Sequence, residues 1–252
     1  MDRIVYTAGN GASRTLEHQS VVSNNMANAS TPGFRAQLAQ YRSVPIVGDG
    51  LPTRVSTVAA TPSADLTPGP MQTTARALDV AIQGDGWLSV MTPDGEALTR
   101  AGSLHVGVNG LLQTVQGLPV LSEDNQAIAV PDNAQLTFGA DGTITALGAG
   151  DEPNGLAILG RIKLANPAAQ TLVRGDDGMF RIVPPPGLPA APIPMDPAVR
   201  LVSGALEGSN VNPMEAMVAM IDNGRRFEMQ MKVVTHANSN AERANQLLSA
   251  GA

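Results

Sequence analysis

The run Asn212-Pro213-Met214-Glu215-Ala216-Met217-Val218-Ala219-Met220-Ile221-Asp222-Asn223-Gly224-Arg225-Arg226-Phe227 carries the strongest structural signal in the chain. An asparagine side chain can cap the free N–H groups of a first helical turn, and proline suits the first helical position, where an N–H has no partner. Met217, Met220, Gly224, Phe227, Met231, Val234, Ala241 and Leu248 then trace one stripe at near-heptad spacing, the pattern of a helix with one buried face. Unbroken from Pro213 to Leu248, such a helix is about 54 Å long. Asp222 with Arg226 and Glu228 with Lys232 are spaced four apart, and such pairs add about 0.2–0.5 kcal/mol each on a polar face.

The opposite end reads as a second helix. No proline interrupts residues 2–29, and Val5, Ala8, Ala12, Leu16, Gln19, Val22 and Met26 recur at spacings of three and four. The helix is intrinsically weak. Gly9 and Gly11 each cost about 1 kcal/mol against alanine, and Asn24, Asn25 and Asn28 are poor helix formers. Thr31-Pro32-Gly33 ends it, because the residue before a proline is pushed out of the α region. Neither stripe can bury its own apolar face, so each needs another helix against it. The two are expected to pack as a coiled-coil-like pair whose remaining surface neighbouring copies cover. Low helix propensity further predicts that both ends order on assembly.

Between the ends the chain changes character. Pro45, Gly48, Gly50, Pro52, Pro62, Pro68 and Pro70 make residues 42–70 read as extended. Short apolar runs then alternate with Asp85-Gly86, Asp94-Gly95, Asn109-Gly110, Asp141-Gly142 and Asp177-Gly178, pairs that supply the positive φ of tight hairpins. Leu78–Ile82, Trp87–Val90 and Leu104–Val108 have strand length and composition. Pro184-Pro185-Pro186-Gly187 and the prolines after it read as a linker or a loop leaving the sheet. The fold class expected is α+β: long N- and C-terminal helices around a mainly antiparallel β domain. Its divisions are residues 1–35 (first helix), 36–75 (extended connector), 76–200 (β domain) and 201–252 (return segment and long helix).

Composition excludes several function classes. The net charge is −6 and lysine occurs only at Lys163 and Lys232, which argues against phosphate-neutralising partners such as nucleic acid. Cysteine is absent, removing disulfides, thiolate metal sites and thiol nucleophiles together. The start Met1-Asp2-Arg3-Ile4 lacks the pattern of a cleavable signal peptide, and no run approaches the ~18 apolar residues that span a bilayer. His18, His105 and His236 lie far apart without a carboxylate motif, so packing or solvent-facing roles are expected. Gly84-Asp85-Gly86 and Gly175-Asp176-Asp177-Gly178 lack the spacing of phosphate or calcium loops and read as turns. Trp87 is the only tryptophan, which weakens the rival reading of a secreted β-rich enzyme or carbohydrate-binding module with an aromatic-lined cleft.

Ser23-Asn24-Asn25-Met26-Ala27-Asn28-Ala29-Ser30-Thr31-Pro32-Gly33-Phe34-Arg35 resembles the N-terminal signature of the bacterial flagellar rod, hook and hook-filament axial proteins. Ser209-Asn210-Val211-Asn212-Pro213, continuing through Met220-Ile221 and Arg225-Arg226-Phe227-Glu228, is similar to that family's C-terminal signature. Leu78–Trp87 and Leu98–Gly102 look like the first β-domain strands of the rod proteins. Met1–Tyr6, Leu51–Val55 and Thr67–Pro70 look most like the proximal-rod branch, with the distal-rod branch as the competitor.

This resemblance implies a torque-transmitting structural subunit without enzymatic activity, cofactor or metal. It implies polymerisation with copies of itself and other rod proteins through terminal helices that line an inner tube. It also implies export through the flagellar type III apparatus without a cleavable signal peptide, and a place in the basal body, in the rod crossing the periplasm, with no direct membrane insertion. The subunit-interface residues expected are Val5, Leu16, Val22, Asn24, Asn25, Met26, Asn28, Phe34, Asn210, Asn212, Met217, Met220, Ile221, Phe227, Met231, Val234 and Leu248. Among them Asn24, Asn25 and Asn28 are expected to fix register by bonding to neighbouring subunits, as a buried asparagine does in coiled coils.

Overall fold

The computed structural model describes residues 2–45, 55–59, 63–132, 134–148, 156–183 and 192–250. The chain divides into a helical unit (residues 1–27, 37–63 and 212–252) and a β unit (residues 28–36 and 64–211). Leu51–Arg54 and Pro184–Pro186, singled out in the sequence, lie outside the described residues.

In the helical unit, α1 (Asp2–Ala27) packs on α2 (Pro213–Ala250). The capping expected at the start of α2 is present: Asn212 Oδ1 accepts the N–H groups of Met214 at 3.1 Å and Glu215 at 3.4 Å, satisfying two of the turn's orphan donors. Cross-helix contacts join Gln230 to Thr15, Asn223 to His18 and Met220 to Ser23. Partner numbers fall along α2 as they rise along α1, so the helices run antiparallel. Within the stretch expected to be an extended connector, Tyr41–Pro45 and Val55–Ala59 instead pair as antiparallel strands. The alternation Val55-Ser56-Thr57-Val58 suits a strand, Pro45 sits at its strand's end, and the Tyr41 hydroxyl donates to the Arg14 carbonyl at 3.1 Å.

The first helix ends at Ala27. Residues 28–36, expected to belong with it, cluster with the β unit because their backbone finds its partners there: Gly33 N–H donates to Glu207 C=O at 2.8 Å, and Asn210 N–H to Phe34 C=O at 3.3 Å. The β unit holds a five-stranded antiparallel sheet ordered Leu164–Ala165, Trp87–Thr92, Gly95–Thr99, Phe180–Ile182, Leu172–Arg174. A three-stranded sheet joins Gln135–Phe138, Thr143–Leu147 and Ala157–Arg161. Arg200–Ser203 pairs with Val80–Gln83 and Ala205–Glu207 with Met71–Thr73, so strands on both sides of the expected domain limits belong to this unit.

Alternation decides which faces are buried. Leu136, Phe138, Ile144 and Ala146 point inward while Gln135 and Thr137 face solvent. Val90, Leu104, Leu112, Val120, Ile144, Ile162 and Leu164 form one sealed apolar core. Asp94-Gly95, Asn109-Gly110, Asp141-Gly142 and Asp177-Gly178 join paired strands as expected, whereas Asp85-Gly86 joins Val80–Gln83 to Trp87–Thr92, which do not pair with each other. At Asp177-Gly178 the Gly178 N–H closes on Gly175 C=O at 3.0 Å with φ +80°, a backbone state open to glycine at little cost.

Candidate assembly surfaces and the buried charge cluster

Facing positions of the two helices mix small, polar and larger apolar residues. Val5, Ala8, Ala12, Thr15, Gln19, Val22 and Met26 are shielded on α1, and Ala216, Met220, Asn223, Phe227, Gln230 and Val234 on α2. The stripe on α2 is therefore partly displaced from the one its methionines suggest. Met217 and Met231 are exposed, and the neighbouring Ala216, Asn223 and Gln230 turn inward. The reason is hydrogen bonding: His18 Nδ1 lies 2.8 Å from Asn223 Nδ2, and Thr15 Oγ1 lies 3.2 Å from Gln230 Oε1. On α1 likewise, Thr15 takes the inward position expected for Leu16, which is 54% exposed.

Large apolar side chains stand on the outside. Ile4, Leu16, Met214, Val218, Ile221 and Met229 are each more than half exposed. Asp222–Arg226 and Glu228–Lys232 are not among the ion pairs that the described residues form; the i,i+3 pair Arg14–Glu17 on α1 closes at 2.6 Å.

The residues expected at subunit interfaces fall into separate groups. Val5, Val22, Met26, Met220, Phe227 and Val234 contribute to the shielded faces of the helix pair, whereas Leu16, Met217, Ile221 and Met231 face outward. Asn25 is engaged within its own chain: Nδ2 donates to Gln37 C=O at 2.9 Å and Oδ1 accepts Gln37 N–H at 2.8 Å. Both ends of this amide therefore meet the Gln37 backbone. Asn24 is exposed on α1. Asn28 Oδ1 accepts the Thr31 hydroxyl at 3.1 Å in the turn after the helix. Phe34 lies beneath the Arg174 guanidinium, 4.6 Å from its ring centroid. Asn210 Oδ1 accepts Ala36 N–H at 2.7 Å while its Nδ2 donates to Asp65 C=O at 2.9 Å. The side chain of Leu248 lies outside the described residues.

The β unit contains a feature that periodicity gave no reason to expect. Glu207 is 1% exposed and serves two guanidinium groups: Arg35 Nη1 lies 2.6 Å from Oε1 and Arg100 Nη1 2.7 Å from Oε2. Gly69 N–H also donates to Glu207 Oε1, at 2.8 Å. Arg100 Nη2 donates to Gly84 C=O at 2.7 Å. Both guanidinium groups stack near Trp87, at 5.8 Å for Arg35 and 5.4 Å for Arg100. Burial holds the Arg100 pKa below its ordinary value; Glu207 opposes that shift and the like charge of Arg35 adds to it. The Arg35–Glu207 contact is an ion pair without hydrogen-bond geometry, and Arg35 Nε and Nη2 have no hydrogen-bond partner among the described residues. Gly33 permits the approach: at φ +70°, a Cβ there would lie 2.2 Å from the Arg100 carbonyl carbon.

These contacts use the Pro32-Gly33-Phe34-Arg35 motif, the tryptophan after Asp85-Gly86, and Arg100 to fasten residues 33–36 against residues 207–210. Trp87 is thereby 4% exposed and packed on Phe180 with centroids 4.6 Å apart; it is not a sugar-stacking platform. A third buried cation, Lys163, binds Glu96 at 2.7 Å and also Asn125. Among the described residues no group of three or more His, Asp or Glu side chains could hold a metal. Nor, among them, is any helix long and apolar enough to cross a membrane.

Two terminal helices paired antiparallel, with apolar side chains left outward, and a β unit that fastens the segments adjoining both helices define the class of this chain. Comparison with known proteins gives the class a family. Residues 5–35 match the family described as Flagella basal body rod protein, residues 81–146 the Flagellar hook protein FlgE/F/G D1 domain, and residues 202–247 the Flagellar basal body rod FlgEFG protein C-terminal. The chain is 53% identical over 251 residues to the flagellar basal-body rod protein FlgF of Escherichia coli K12, covering 99% of each chain. It is 52% identical to FlgF of Salmonella typhimurium, again covering 99% of each. Against FlgG of Agrobacterium fabrum it is 29% identical, covering 95% of this chain and 97% of the relative. The chain belongs to the flagellar basal-body rod protein family.

Proposed function

We propose that this chain is a structural subunit of the flagellar rod at the level its FlgF relatives occupy, polymerising through the outward faces of its terminal helices. The observation that carries the polymerisation is the apolar surface left outside the helix pair. The seam already holds its own apolar, small and polar residues, while Ile4, Met214, Val218 and Ile221 point outward, each more than half exposed. Exposed apolar groups of this size on adjacent turns gain free energy only when another surface covers them. Family membership supplies the natural occupants: further copies and other rod components. The greater identity to FlgF than to FlgG supports the proximal reading over the distal one.

On this reading the pair serves as a short antiparallel coiled coil that folds fully on assembly, its polar seam and glycines leaving little stability in isolation. The subunit reaches the rod through the flagellar type III export apparatus and works in the periplasm by transmitting torque, without catalysis. Ile221→Asp tests the outward face. Rod assembly and motility should be lost while the unfolding free energy of the purified chain changes by no more than ~0.5 kcal/mol. Normal rods in that variant would remove α2's outward face from the interface.

A further inference from the structure

We infer that the polar pairs inside the helix seam, His18 with Asn223 and Thr15 with Gln230, are the residues that select the antiparallel register of α1 on α2. The inference deepens the assembly reading, because register decides which outward side chains share a face.

The apolar part of the seam does not specify register. Val5, Ala12, Gln19 and Met26 repeat at seven residues, as do Ala216, Asn223 and Gln230. A slip of one heptad would still oppose apolar positions to apolar ones, because Met220, Phe227 and Val234 also repeat at seven residues. Polar pairs remove that degeneracy, because each polar group must find a partner at the level where it is buried.

Asn223 is 4% exposed, and both its amide atoms reach His18 Nδ1, Oδ1 at 3.0 Å and Nδ2 at 2.8 Å. Either imidazole tautomer is therefore satisfied by turning the amide, since Nδ1 accepts from Nδ2–H or donates to Oδ1. Gln230 occupies a slot that exists only beside Gly11: a Cβ at Gly11 would lie 2.8 Å from Gln230 Nε2. Thr15 Oγ1, itself 3.0 Å from Gly11 C=O, reaches the other end of that amide. Slid one heptad in one direction, Thr15 meets Asn223 but His18 meets Ala216 and Gln230 meets Ala8; slid the other way, His18 meets Gln230 but Asn223 meets Asn25, whose amide is held by Gln37, and Thr15 meets Ala237. Either slip leaves a shielded polar group without its partner, which is the costly state.

The absence of native cysteine permits a direct test on the full chain. Ser23→Cys with Met220→Cys reports the native register, where Ser23 Oγ and Met220 Sδ are 3.8 Å apart. Ala12→Cys with Ala237→Cys reports a one-heptad slip. Both reporters are oxidised mildly in the parent and in a chain carrying Thr15→Val, His18→Leu, Asn223→Leu and Gln230→Leu. In the parent, only the native reporter should close. In the apolar-seam chain its yield should fall at least about threefold and the slipped reporter should close, with helix content by circular dichroism equal or higher. Full retention of the native cross-link overturns the inference, as does failure of that cross-link in the parent. Loss of helix content with both cross-links also overturns it, since the pairs would then supply stability and not register. Because the purified chain is used, the outcome is separable from the rod-assembly result for Ile221→Asp.

Discussion

The two units use polarity differently. In the helical unit, polar pairs sit inside the seam among apolar side chains, and further large apolar ones stand outside. In the β unit the interior is apolar throughout one large cluster, and its clustered charges are drawn into ion pairs around Glu207 and Lys163. The difference lies in the core: the β unit has one large sealed apolar cluster, whereas the helical unit seals few residues and leaves large apolar ones outward, where only another surface can add to its stabilisation.

The largest effect expected of a single substitution is at Glu207. Glu207→Gln keeps the shape but leaves Arg35 and Arg100 buried with like charge, and breaking such a cluster costs about 3–5 kcal/mol. Trp87 lies against both guanidinium groups, so denaturant unfolding followed by its fluorescence reads the loss. Arg35→Met should be far milder, because one carboxylate then faces one cation; equal losses in the two variants would refute the shared-counter-ion account. Next comes Leu112→Ala, which opens a cavity in the sealed core and should cost about 3 kcal/mol in the same fluorescence-detected transition. A helical signal that melted in step with Trp87 would break the comparison by making the units one cooperative whole. Smallest is Asn212→Ala, which removes the α2 cap at about 1 kcal/mol. It should speed hydrogen exchange at the Met214 and Glu215 amides while leaving Trp87 emission unchanged.

Much of this organisation was legible in the chain. Asn212-Pro213 announces the start of α2 because the capping chemistry is local to one turn. Four of the five Asp-Gly and Asn-Gly pairs announce hairpins for the same reason: each turn's backbone demands are met by its own residues; at Asp85-Gly86 the preceding strand instead pairs with the distant Arg200–Ser203. Shielded positions on α1 also follow from spacing, apart from the exchange of Thr15 for Leu16.

Other features follow from partners distant in sequence. A search for apolar stripes prefers Met217 and Met231, and nothing local reveals that Asn223 and Gln230 turn inward to meet His18 and Thr15. Asn25 reads as a residue that fixes register between subunits, as a buried asparagine does in coiled coils; only folding shows that its amide meets the Gln37 backbone. Glu207 drew no attention as one carboxylate among many, since its role exists only once residues 35, 69, 87 and 100 converge on it. The sequence by itself determined where helices and turns begin, the antiparallel character of the middle and the family, because these rest on short-range backbone chemistry and contiguous motifs. Only the tertiary structure decided which side chains face inward and which charges share a counter-ion, because desolvation and hydrogen bonding are properties of the residues that meet.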